Sequence, residues 1–423
     1  MKPKKKFLYK ILLPKKKKYI YPLLDKGLSK KDLNEGIKIL KSGNITMGLK
    51  TQKFENIFKK KLKTNYALMV NSGSSANLLA AFASCNPLRK NRFKQGDQAL
   101  IQALCWPTSL WPLVQTGLKI NFIDVDPLTL NVSAEDLIKK VTNKTKLILI
   151  INVLGMSPDI KKIRDFCKRK KIILIEDNCE SLGARYKNKY LGSFGDFGTF
   201  SFFYSHQITS GEGGMIVCNN DKDYEILFAL RSHGWLGGTR FYPRRLKNFN
   251  YYAKKYPSLD PRYIFVNSGF NLRPTDIQAA IGLNQFNRLK QLIRNRKQNR
   301  KLIITCLKKD KRWNNQFEFI EPAKNINPSW MGLPVIINEK YKMQKMKFLS
   351  YLDARGIETR PIISGAFTNQ PATKLYNLNP SKKKFDNAKS VQELGFLIGL
   401  HQKKITKENL SLIKNSFLNI DKV

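Results

Sequence analysis

Acidic residues are scarce in this chain. Its 423 residues include 31 Asp or Glu against 77 Lys or Arg, a formal net charge of +46. So lopsided a balance raises the question of nucleic acid or an anionic membrane as partner. The basic residues are spread along the whole chain, however, and the lysine runs at 15–18 and 382–384 are short. Without a concentrated basic stripe, neither nucleic acid nor membrane is expected as a partner. Cysteine is also sparse, at 85, 105, 167, 179, 218 and 306. No two form a CxxC pair and none has zinc-ligand spacing, so no metal site is expected and the thiols are taken as reduced. No apolar run reaches the length of a membrane span. Residues 1–20 are lysine-rich but lack the apolar core and small-residue cleavage site of a signal peptide, so a cytoplasmic protein is expected. Internal repeats are absent, and only the basic N-terminus is of low complexity.

What is present is a globular composition. Hydrophobic residues make up 42% of the chain, and its length exceeds what one core usually serves. The periodicity predicts helices over 29–41 and 51–61, then an alternation of strand and helix from 66 to 175 and again over 215–232. The strand at 147–153 is nearly all apolar, as one covered on both faces must be. This rhythm predicts a mostly parallel sheet flanked by helices. Residues 234–267 carry aromatics and glycine without period and are expected to form a long loop. Helices are expected over 275–293, running on toward 307, and over 341–355, 391–397 and 407–420. Strands are expected over 330–337 and 358–362. The expected organisation is a basic lead (1–28), a large α/β domain (29–304) and a smaller C-terminal α+β domain (305–423).

Three segments carry chemistry. Asn71-Ser72-Gly73-Ser74-Ser75-Ala76-Asn77 joins a strand end to a helix start, which makes either an ordinary N-cap or an anion site. Trp106 follows the next strand, at the end where open α/β sheets bind ligands; it is either a core residue or a ring positioned for stacking. Glu176-Asp177-Asn178-Cys179-Glu180-Ser181 follows a covered strand. Acids there are costly unless they serve a partner. Asp177 could pair with a protonated ring nitrogen, with Glu180 one helical turn on facing the same ligand; a capping cluster is the simpler alternative.

Together with Gly195-Asp196-Phe197-Gly198, the stretch over 200–214 and Gly269-Phe270-Asn271-Leu272-Arg273-Pro274, these segments resemble the DegT/DnrJ/EryC1/StrS sugar aminotransferases. The resemblance runs from about residue 30 to the C-terminus. It implies the fold of the pyridoxal phosphate (PLP)-dependent transferases of fold type I. It also implies that Gly73, Ser74 and Ser201 hold the cofactor phosphate, that Trp106 stacks on the ring, and that Asp177 and Glu180 face the ring nitrogen and ring hydroxyl. Asn271 would reach the phosphate of a neighbouring subunit's cofactor, which implies a homodimer with shared active sites.

One position departs from the aminotransferase pattern. Phe203-Tyr204-Ser205-His206 carries histidine where those enzymes carry the lysine that binds the cofactor covalently. Histidine cannot form that bond but can move protons near neutral pH. Within the family the chain is similar to the 3-dehydratases of nucleotide-linked 4-keto-6-deoxy-sugars, with GDP-4-keto-6-deoxy-D-mannose as the implied substrate and dideoxysugar and O-antigen synthesis as the implied setting. Glu176-Asp177-Asn178-Cys179-Glu180-Ser181, Phe203-Tyr204-Ser205-His206, His233-Gly234-Trp235, Glu358-Thr359-Arg360-Pro361-Ile362 and Gly399-Leu400-His401 belong to this likeness. Glutamate would supply an amino group, converting PLP to pyridoxamine phosphate (PMP), and His206 would be the acid/base catalyst. The positive surface would help to attract a doubly anionic nucleotide-sugar. A related iron–sulfur branch acts on a CDP-sugar and clusters its cysteines after the His233-like segment. No cysteine lies between Cys218 and Cys306, so no cluster is expected. A CDP-linked substrate, a histidine-tolerant aminotransferase and a catalytically silent regulator remain as alternatives.

Overall fold

The computed structural model describes residues 18–25, 27–237, 242 and 246–423. Its centre is a seven-stranded sheet of β1 (Tyr66–Val70), β2 (Gln98–Gln102), β3 (Lys119–Ile123), β4 (Thr145–Ile151), β5 (Ile173–Asp177), β8 (Phe197–Ser201) and β9 (Gly214–Cys218). The spatial order is β1-β9-β8-β5-β4-β2-β3. Strands β3, β2, β4, β5 and β8 pair in parallel, and only β9 runs against its two neighbours. The short strands β6 (Arg185–Tyr186) and β7 (Lys189–Tyr190) form a separate small sheet with β11 (Ile326–Asn327).

Strand periodicity builds two apolar layers. Along β1, Leu68 and Val70 face the main core, whereas Ala67 and Met69 face a second cluster on the opposite side. Phe54, Phe58, Phe200, Phe202 and Phe286 fill that second layer, with Phe58 stacked on Phe286 at 4.9 Å between ring centres. The helices Lys30–Ser42, Leu49–Leu62 and Asp276–Asn287 cover it.

A second, antiparallel sheet has the order β10 (Phe317–Phe319), β12 (Gly332–Ile337), β14 (Gly395–Gly399) and β13 (Thr359–Arg360). Phe317, Phe348, Phe396 and Phe417 pack together beside it. The helix Leu289–Lys308 is continuous through residue 304 and links the two parts. The described end of the N-terminal lead is ordered onto the smaller sheet. Tyr21 donates its hydroxyl to the Gly399 carbonyl at 2.9 Å and stacks on His401 at 4.2 Å. Residues 1–17 lie outside the described residues.

Three elements differ from expectation. The helix expected over 391–397 ends at Leu394, and its apolar continuation is the fully buried strand β14. A short apolar run gives no period that separates buried strand from buried helix. The helix expected from 275 breaks at Arg288, where the backbone leaves helical geometry between Asp276–Asn287 and Leu289–Lys308. The loop over 234–267 contains a helix, Phe249–Lys255, too short to show a period. No helix among the described residues is long and apolar enough to cross a membrane.

Candidate active site

The parallel strands deliver their carboxyl ends to one edge, where an open α/β sheet offers its crevice. The end of β1 leads into the helix Gly73–Ser84. Its N-cap Ser72 accepts from the Ser75 amide at 3.0 Å, while the amides of Gly73 and Ser74 have no acceptor among the described residues. Gly73 is there because nothing larger fits. A Cβ on it would lie 2.5 Å from the Cβ of Ser201 and 2.8 Å from the Sγ of Cys179. Its bareness brings the helix N-terminus directly against Ser201, at the end of β8. Ser74 Oγ is 2.7 Å from Thr108 Oγ1, tying this helix to the helix Pro107–Gln115.

The acids at the end of β5 divide by strand alternation. Glu176 turns away and accepts from the amides of Gly192, Phe194 and Gly195 at 2.6–2.8 Å. It therefore anchors a neighbouring turn, as the capping alternative predicts for this one residue. Asp177 faces the crevice. Its Oδ2 accepts from Asn77 Nδ2 at 2.7 Å and Ser109 Oγ at 2.6 Å, and its Oδ1 accepts from the Cys179 amide at 3.0 Å. Asn77 is itself fixed by the Thr199 hydroxyl at 2.6 Å. Both oxygens of Asp177 are thus held in place. Glu180 accepts from the Leu154 amide at 3.0 Å. Burial, reinforced by Asp177 and opposed by the Leu154 amide and Arg360, pushes its carboxyl up to about 7.

Trp106 precedes Pro107 at the start of its helix and is 46% exposed. It lines a pocket with Glu180, Ser205, Met331 and Arg360. His206 reaches this pocket through Met331, whose Sδ lies 3.1 Å from Nδ1 of the imidazole. Burial first, and then the charges of Arg296 and Arg360, push the His206 pKa down to about 3. The imidazole is therefore neutral at physiological pH, with one ring nitrogen carrying a free lone pair, while burial and the two cations oppose its protonation. Cys179 is no candidate nucleophile, because burial holds its thiol well above the ordinary range.

Seven of the eight residues singled out from sequence lie around this crevice: Gly73, Ser74, Trp106, Asp177, Glu180, Ser201 and His206. Asn271 does not join them within one chain. It is exposed, and its Oδ1 accepts from Arg273 Nε at 3.0 Å. Sequence reasoning missed Asn77, Ser109, Arg296 and Met331, and quoted Arg360 without giving it a role. Asn77 was within reach, since it lies four residues after Gly73 on the same helical face. Met331 and Arg296 gave no signal, because they arrive from distant parts of the chain.

A crevice of this kind fits PLP. The unpaired helix-terminal amides beside Ser201 suit a phosphate, a fixed carboxylate suits a pyridinium nitrogen, and an exposed tryptophan suits a flat ring. A seven-stranded sheet of this order with a smaller antiparallel sheet is the fold of PLP-dependent aminotransferases. The model of the DegT/DnrJ/EryC1/StrS aminotransferase family matches residues 27–417, and the chain belongs to this family. It is 36% identical over 388 residues to GDP-4-keto-6-deoxy-D-mannose 3-dehydratase of Escherichia coli O55:H7, covering 92% of this chain and 97% of the relative. Among solved structures it resembles an Escherichia coli GDP-4-keto-6-deoxy-D-mannose 3-dehydratase with bound hydrated PLP. The TM-score is 0.82 at 32% identity, with 95% of this chain and 100% of that one covered. A histidine-to-asparagine mutant of GDP-4-keto-6-deoxymannose 3-dehydratase with bound GDP-perosamine gives the same TM-score and identity, over 94% of this chain and 99% of that one.

Proposed function

We propose that this chain is a PLP- and PMP-dependent 3-dehydratase of GDP-4-keto-6-deoxy-D-mannose, with glutamate as amino donor. It works in the cytoplasm as a homodimer with shared active sites. The observation that carries this reading is the reacting side chain. A neutral imidazole, His206, serves the pocket, and no lysine is among the residues that line it. The two dehydratase relatives support the sugar and the nucleotide.

When bound, PLP supplies an electron sink and carries the amino group between donor and sugar. The amides of Gly73 and Ser74, with Ser201, hold its phosphate at the helix terminus. Asp177 holds the ring nitrogen in its charged form, Glu180 faces the ring hydroxyl, and Trp106 covers the ring. With its own proton on Nδ1, directed at the Met331 sulfur, His206 presents the lone pair of Nε2. It takes up a proton there and returns it to the departing C3 hydroxyl, which leaves as water. The product is a 4-keto-3,6-dideoxy-sugar, and the two electrons that replace the C3 oxygen come from glutamate, which is oxidised to 2-oxoglutarate as its nitrogen is released as ammonia. A lysine in its place would offer a competing amine for the carbonyl that the substrate must reach. The exposure of Asn271 supports a homodimer in which it completes the partner's phosphate site.

The test is a product assay with GDP- and CDP-linked 4-keto-6-deoxy-sugars, PLP and glutamate. Loss of the C3 oxygen from the GDP-sugar, with one 2-oxoglutarate and one ammonia formed per turnover, is expected, and gain of nitrogen by the sugar would refute the reading. His206→Asn should lower turnover by about 10²–10⁴-fold while retaining bound cofactor. Undiminished turnover in that variant would remove His206 from the mechanism.

A further inference from the structure

Arg296 is the most deeply buried cation beside the site, at 1% exposure, on the helix Leu289–Lys308. Among the described residues no carboxylate pairs with it. Its partners are three backbone carbonyls: His206 O at 2.8 Å from Nη2, and Met331 O at 3.0 Å and Trp330 O at 3.3 Å from Nη1. Its Nε has no partner among the described residues. Burying a guanidinium against neutral acceptors is unfavourable, and burial indeed pulls its pKa down to about 10. An apolar side chain would fill the same volume at lower cost.

The carbonyls it grips are informative. One belongs to His206 and one to Met331, the residue whose sulfur faces the His206 ring. The third belongs to Trp330, whose φ of +23° is strained for a side-chain-bearing residue. Trp330 sits over Gly155, where a Cβ would lie 2.5 Å from the Trp330 nitrogen. The adjacent Leu154 also has positive φ, at +52°, and accepts from the Met331 amide at 3.3 Å while donating its own amide to Glu180. Two strained segments from opposite domains therefore meet at the pocket, and Arg296 closes the junction.

We propose that Arg296 is a positioning residue that sets the orientation of the His206 imidazole, by clamping the backbones of His206 and Met331 together so that the thioether faces Nδ1. It touches neither sugar nor cofactor. The inference rests on His206 being the acid/base group.

The experiment combines kinetics with ring ¹⁵N NMR. The chain has only three histidines, so selective labelling gives few imidazole signals, and His206→Asn assigns the relevant one. In the wild-type chain one tautomer of His206 should dominate. Arg296→Met should give mixed-tautomer shifts and a kcat about 10²-fold lower, with KM for the sugar within about threefold. Arg296→Lys, which keeps a charge and a donor, should recover about tenfold of the loss. Met331→Leu removes the sulfur alone and should move the same NMR signal, which keeps the test decisive if Arg296→Met does not fold. Unchanged ring shifts in Arg296→Lys and Met331→Leu, or a folded Arg296→Met with wild-type kcat, would overturn the proposal. If the wild-type enzyme itself released no water from any nucleotide-sugar, the functional reading would fail, whereas the NMR comparison would still report on the clamp.

Discussion

The two ends of the crevice are built differently. At the end assigned to the cofactor, side chains hold side chains around the seven-stranded sheet: Asp177 is fixed by Asn77 and Ser109, Asn77 by Thr199, and Ser74 by Thr108. At the His206 end, a single arginine grips backbone carbonyls from segments beside both the larger and the smaller sheet, and positive-φ residues Leu154 and Trp330 face one another. The first design stiffens a site that need not change as a ligand reacts. The second stores strain where a proton must move. Steric damage at the first end should be severe and local. Gly73→Ala puts a methyl 2.5 Å from Ser201 Cβ and 2.8 Å from Cys179 Sγ, neither being the far end of a flexible chain. Overpacking of this kind costs about 1–3 kcal/mol. By pushing the amides from Ser201 it should weaken PLP binding by about 10–100-fold, as a change of 1.4 kcal/mol is tenfold. Fluorescence titration with PLP reads the effect. Unchanged affinity and melting temperature would dissolve the argument for a tightly fitted phosphate end.

Glu180, which joins the two ends through the Leu154 amide, should instead betray itself through pH. Glu180 has its carboxyl raised to about 7 in the folded chain, mainly by burial. A raised carboxyl favours folding while protonated. Its contribution is full below about pH 4.5, the ordinary carboxyl value, and is lost as pH rises through 7. Between pH 5 and 8 the cofactor-free wild-type chain should therefore lose about 2–3 kcal/mol relative to Glu180→Gln, at about 1.4 kcal/mol per pH unit between 5 and 7. The glutamine keeps an oxygen to accept from Leu154. Denaturant melts across that range measure the difference, and parallel curves for the two chains would contradict it.

Much of the first end was legible in the sequence, and little of the second. Asp177 and Ser201 end their strands and Gly73 and Ser74 follow one, where apolar runs stop abruptly at small or acidic residues, so both their place and their chemistry show in one dimension. Glu176 and Asp177 look alike in sequence. Only strand alternation, which depends on the exact register of β5, sends one into a turn and the other into the crevice. Arg296, on a helix, and Met331, just before β12, lie 90 and 125 residues beyond His206. Their convergence depends on how the smaller sheet packs beside the larger one, which no local pattern encodes. The strand β14 was hidden for a related reason, since complete burial erases the period that tells strand from helix.

The smallest effect tests how the cofactor end shares its load. Ser109→Ala removes a 2.6 Å hydrogen bond to Asp177 Oδ2. Hydrogen bonds to charged groups are worth about 1.5–3 kcal/mol, but here Asn77 and the Cys179 amide still hold the carboxylate. The loss should therefore fall near the lower limit, at about 1–1.5 kcal/mol, with little change in PLP affinity. Asn77→Ala should cost more, because it also takes the short 2.6 Å acceptor from the buried Thr199 hydroxyl and leaves it only the Glu176 carbonyl at 3.4 Å. A double variant that loses more than the sum of its parts would show the two donors acting as one network. Equal and additive losses would mean that Asp177 is held by independent contacts, and the cofactor end would then be no more cooperative than the clamp across the crevice.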